Sequence, residues 1–209
     1  NVLCAALLFP FSGLLEKLAC RLIPDSKDAA ESADDKIQIL DERLLATPAV
    51  ALGRCQEVAE TMARISMDAM KTSCQLIRQY DARSAAAIRR TEGEADQYED
   101  MLGTYLVKLG SSDLTAQDSR TSAKILHIIG DFERISDHAV NVVESAEEMK
   151  SKGLRFSPEA SHEMHVMTGA VGEIMDLALD AYLQDDPALA TKVEPLEQVV
   201  DALKEQLRN

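Results

Sequence analysis

From residue 47 onward, apolar positions recur at helical spacing and are broken at short intervals by capping and turn residues. Thr47-Pro48 reads as an N-cap with proline at the first helical position, where no backbone N–H is needed. Leu52, Val58, Met62, Ile65, Ala69 and Leu76 then fall on one face and predict a helix to about residue 80. Asp81 caps a second helix, to about residue 109, and Gly110 to Asp113 is a turn. Thr115 opens a third helix, with Asp118 placed three residues on as in a capping box, and Lys152-Gly153 closes it. Ser157-Pro158-Glu159 caps a fourth. Asp186-Pro187 starts a fifth, expected to run to the last residue on a stripe of Leu189, Val193, Leu196, Val200, Leu203 and Leu207.

The pattern repeats at an offset of 105 residues. Asp81 maps onto Asp186, Ile88 onto Val193, Glu92 onto Glu197 and Asp96 onto Asp201; upstream, Met62 maps onto Met167 and Met70 onto Met175. The first copy adds a third helix and the second stops before it. Helices joined by short loops pack antiparallel. The expected fold is therefore all-α: one three-helix bundle over residues 48–152 and a partial second bundle over residues 157–209. The partial bundle is expected to leave apolar surface open and to favour self-association, so a homo-oligomer is anticipated.

Residues 1–24 follow a different pattern. Val2 to Leu15 is apolar except at Pro10, Ser12 and Gly13, and Lys17 and Arg21 come directly after it. The run is short of the roughly 20 residues of a full span. It lacks the basic leader and small-residue cleavage site of a signal peptide. Three readings stay open: the tail of a transmembrane helix, an interfacial helix, or a buried core helix. The basic residues at its exit favour the first. Residues 25–47 read as a linker, charged and small-residue-rich to Lys36 and a short connector beyond.

Composition narrows the functions. Aromatic residues are 4% and Trp is absent, a mix that favours helix over strand. The net charge of −14 lies almost wholly after residue 24, so phosphate backbones repel this body and nucleic-acid binding is excluded. Cys4, Cys20, Cys55 and Cys74 make no C-x-x-C pair and read as reduced thiols.

The candidate chemistry is a recurring E-x-x-x-D, at Glu92/Asp96, Glu133/Asp137 and Glu197/Asp201. That spacing sets both carboxylates on one helical face, roughly 5–6 Å apart at Cβ. With 36 acids in 209 residues, one such pair carries no information. Position does: Glu133, Glu197 and Asp201 each follow a stripe residue by one, and Glu92 and Asp96 take the equivalent places by the repeat. Facing pairs on two packed helices would offer four carboxylates to a hard cation. The competing reading is surface acids neutralised by Arg89, Arg90, Arg134 or Lys204.

Residues 133–144, ERISDHAVNVVE, closely resemble the PhoU signature, and RTEGEADQYEDML resembles the matching first motif. The resemblance implies paired three-helix bundles whose E-x-x-x-D motifs bind iron or zinc clusters in some members. It places ligands at Glu92, Asp96, Glu133 and Asp137, with Glu197 and Asp201 as half of a second site whose partner motif would fall near positions 238 to 242. LDERLLATPAVAL, from Leu40 to Leu52, looks like the linker joining the membrane domain to the PhoU-like domain in bacterial sodium/phosphate cotransporter-family proteins. Residues 1–24, with their PF and LIP elements, resemble the end of that family's last membrane helix. This implies a bacterial inner-membrane protein with the helical domain in the cytoplasm. Inorganic phosphate and sodium would be bound only by membrane repeats outside this chain.

Two other function classes are weighed. A soluble PhoU-type regulator of phosphate uptake and starvation signalling has no use for residues 1–24. A di-metal carboxylate enzyme would use Glu-x-x-His ligands, and none adjoins these motifs, so no enzymatic activity is expected. His162 and His165 are not the H-E-x-x-H of zincins, no Gly-rich phosphate loop occurs, and the eight methionines read as core filler.

Overall fold

The computed structural model describes residues 40–208, so the readings made on residues 1–39 lie outside the described residues. A 3₁₀ turn at Glu42–Ala46 leads into α1 at Pro48–Arg78. After it come α2 at Ala82–Leu109, α3 at Ala116–Ser151, α4 at Pro158–Leu183, α5 at Pro187–Ala190 and α6 at Val193–Arg208. No strand occurs among the described residues, and the fold class is all-α as the periodicity predicts.

All but one of the caps foreseen in the sequence set these bounds with a side-chain bond; the Thr47 hydroxyl instead donates back to Leu44 C=O at 3.2 Å and caps nothing in α1. Asp81 accepts from the Ser84 amide at 2.8 Å, Ser157 from the Ala160 amide at 3.1 Å and Asp186 from the Ala188 amide at 2.8 Å. At α3, Thr115 Oγ1 accepts from the Asp118 amide and donates back to its carboxylate at 2.7 Å. Gly153, at φ 63°, ends α3 in the left-handed region that glycine enters without strain, and Leu154 N–H closes on Met149 C=O at 2.9 Å.

The fifth helix is not continuous, which corrects the sequence expectation. Pro195 is the cause. Deep inside a helix begun at Pro187, it would remove one hydrogen bond and press its ring on the carbonyl of Thr191. The chain instead breaks at Thr191-Lys192, and Pro195 falls in the first turn of α6.

Helices α1, α2 and α3 pack against one another as an up-down-up bundle. Its core divides into two clusters. The upper holds Leu52, Met62, Tyr98, Leu102, Leu106 and Phe132; the lower holds Leu76, Ile88, Ala139 and Val143. Helix α4 docks on α1, with Met175, Leu179 and Tyr182 resting on the upper cluster. Tyr182 meets Phe132 edge-on at 5.2 Å between ring centres, a favoured aromatic geometry. Along this contact Lys71 pairs with Asp176, and Arg78 Nη1 meets His165 Nδ1 at 3.2 Å, so α1 and α4 run antiparallel. Lys71 and Asp176 are themselves 105 residues apart. Equivalent positions of the repeat meeting each other mark a local twofold relation between the two halves.

Candidate metal centre

Four of the six predicted ligands come to the waist of the bundle, where its two core clusters meet. On α2, Ile88 of the lower cluster and Ala95 of the upper bracket Glu92. On α3, Phe132 and Ala139 bracket Glu133 in the same way. Asp96 and Asp137 lie one turn further along their helices. Glu92 and Glu133 are half-buried; Asp96 and Asp137 are exposed. The waist is lined with small polar residues. Ser136 is fully buried and donates to the Glu133 carbonyl at 2.8 Å, while the buried hydroxyl of Ser66 on α1 makes no hydrogen bond.

Glu133 registers the crowding. Burial lifts its carboxyl above the ordinary glutamate range, and the charges of Glu99, Asp137, Asp96 and Glu92 lift it further. None of the four predicted ligands forms an ion pair among the described residues. Asp137 accepts only a long hydrogen bond from Asn141, 3.5 Å. Arg89, offered by the sequence as a neutralising partner, is committed elsewhere. It grips Glu147 with both terminal nitrogens at 2.9 and 2.7 Å, and Tyr80 donates to the same carboxylate at 2.8 Å. Those donors hold Glu147 at a pKa of about 2.

The donor set suits a hard cation. The side chains do not close around one: among the described residues no three Asp, Glu, His or Cys groups converge closely enough to hold a metal ion.

Glu99 is the acid that sequence reasoning missed. It completes an i, i+4, i+7 row with Glu92 and Asp96, and that row was legible. What was not legible is its seat on α3: a Cβ at Gly130 would stand 3.3 Å from Glu99 Oε1, so the missing side chain leaves room for the carboxylate. Glu147 carried no local signal, because its partner lies 58 residues away on another helix.

Glu197 and Asp201 are both exposed on α6, and Asp201 pairs with Lys204 at 3.3 Å. This half-site meets no second motif among the described residues. His127, His138 and His162 are exposed, and His165 faces Arg78. Cys55 is buried and free, with its thiol pushed up to about 12 by burial, and Cys74 is free and half-buried.

Within the helical body carrying this waist, residues 59–146 match the model of the PhoU domain family. That span covers most of α1, all of α2, and α3 to near its end. Over 195 residues the chain is 24% identical to a Salmonella typhimurium protein named "Putative inorganic phosphate export protein YjbB". The alignment takes in 92% of this chain and 35% of that protein, so the chain spans about a third of its relative's length. No solved structure matches the chain. No helix among the described residues is long and apolar enough to cross a membrane.

Proposed function

We propose that the chain is a PhoU-like regulatory and assembly domain attached to a sodium-coupled inorganic phosphate transporter of a bacterial inner membrane. In this reading it stands on the cytoplasmic side and catalyses no reaction itself. The observation that carries the reading is the reach of the similarity. With 92% of the chain aligned to a relative named for phosphate export, the likeness cannot be confined to the bundle and extends into residues 1–39. Phosphate and sodium would be handled by a membrane portion outside residues 40–208. The test is labelled-phosphate flux in proteoliposomes of the full-length protein, in both directions, with and without a sodium gradient. Flux that follows sodium and changes on deletion of residues 48–209 is expected. Flux indifferent to sodium removes the symport, and a protein found wholly in the cytosol replaces this reading with a soluble PhoU-type regulator.

Glu92, Asp96, Glu133 and Asp137 would hold iron, zinc or another divalent cation, with Glu99 adjoining. A counter-charge there would relieve the repulsion felt at Glu133. Binding confined to the native fold adds about 2.7 kcal/mol at a hundredfold excess over Kd. Iron, zinc or manganese should raise the thermal midpoint relative to a chelator, and should leave a Glu133→Gln, Asp137→Asn double variant unmoved. Equal responses from the two proteins make these plain surface acids.

A further inference from the structure

A cleft of about 840 Å³ opens at the far end of the first bundle, where the end of α1, the start of α2, the α3–α4 loop and the start of α4 meet. Arg78 and Arg155 both line it, and neither is in an ion pair among the described residues. Arg78 touches a histidine nitrogen and no carboxylate. The single acid in the lining, Asp81, is occupied by its cap: its Oδ2 accepts from the amide and the hydroxyl of Ser84, both at 2.8 Å. In a chain of net charge −14 the walls of this cleft therefore present two guanidiniums that pair with no carboxylate against one committed carboxylate. Ser84 and Ser161, from the first turns of α2 and α4, bring the positive ends of two helices to the same space.

Part of the remaining wall is apolar and open. Leu154 and Phe156 flank Arg155 on the α3–α4 loop and stay 57% and 38% exposed, among the few large hydrophobic side chains left in solvent. A cavity of this size, walled by both polar and apolar side chains, has room for a small organic molecule. Guanidiniums grip phosphate oxygens in a bidentate fork and also stack on planar rings. A bare phosphate would leave most of the volume and both apolar side chains unused.

From this we infer that the cleft binds an organic phosphate, a nucleotide-like anion whose phosphate sits between Arg78 and Arg155 and whose ring lies toward Leu154 and Phe156. The site is separate from the carboxylate waist and does not depend on metal or on transport. The experiment is calorimetric titration of the purified full chain with AMP, ATP and inorganic phosphate, in EDTA so that no metal at the waist takes part. Saturable binding of AMP or ATP is expected, tighter than that of inorganic phosphate. Arg155→Ala, on an exposed loop, should weaken it by about tenfold or more, and Arg155→Lys by less. Lys124→Ala, on the other end of the bundle, should leave it unchanged. Absence of saturable nucleotide binding overturns the inference, as does an affinity the same in Arg155→Ala as in the parent, or inorganic phosphate binding as tightly as AMP.

Discussion

The two halves of the repeat place equivalent residues in different surroundings. Met62 on α1 is fully buried, and its equivalent Met167 on α4 is half-exposed. Ala95, Tyr98 and Leu102 on α2 are at or near zero exposure, whereas Val200, Leu203 and Leu207 on α6 are only half-buried. The stripe is as regular in the second half as in the first. What differs is the company: α2 packs against both α1 and α3, while among the described residues α6 packs chiefly on α4, with a smaller contact to the short α5. Periodicity selects the inward face, and the number of neighbouring helices decides how much water leaves it.

Leu102 and Leu207 offer the sharpest test, because the same side chain occupies equivalent positions. Leu102→Ala opens a cavity in a closed core and should cost about 2–5 kcal/mol in urea unfolding. Leu207→Ala should cost about 1 kcal/mol, since much of that surface is already wet. Equal losses would mean that the second half is as well packed as the first, and the comparison would fail.

A smaller effect separates the halves by pH. Glu147, held at about 2 by Arg89 and Tyr80, lies below its ordinary value of 4.5, so folding favours its ionised form. That support is complete above the ordinary value and is lost as pH falls toward about 2. Glu147→Gln should flatten the acid side of the stability curve. The second half cannot copy the device, since Glu194 stands where Arg89 stands in the first. An unchanged acid limb in the variant would show that the pair adds nothing.

At the waist the sign reverses. Glu133 is raised, so its ionisation opposes folding, and stability falls as pH climbs from the ordinary glutamate range through the raised value. Glu133→Gln in a chelator should therefore gain stability at neutral pH and match the parent in acid, followed by chemical denaturation at both pH values. A loss at neutral pH would point to an interaction of the ionised carboxylate with a group other than these acids. Least of all is expected from Asp201→Ala. Its partner Lys204 is about as exposed as it is, and the change should fall below about 0.5 kcal/mol by the same assay.

Local chemistry was enough to read α1 to α4 from the sequence. Asp81, Thr115 and Ser157 satisfy their own helix ends within three residues, and Pro48 at the start of α1 has no amide N–H to satisfy, so no distant partner is needed. The same holds for the face each helix buries. The break before Pro195 was also local and was overlooked, because the stripe of leucines and valines runs through it without interruption. The face of the carboxylate row could be read from spacing alone, Glu99 included. Its setting could not. That Gly130 leaves room for Glu99, that Arg89 reaches Glu147 instead of the motif acids, and that α4 returns to place Tyr182 on Phe132 all depend on the register between helices. Register is fixed by how whole faces interlock across 30 to 105 residues of chain. A sequence determines each helix through short-range hydrogen bonds and periodic burial; only packing decides which helices meet, and so which carboxylates share a site.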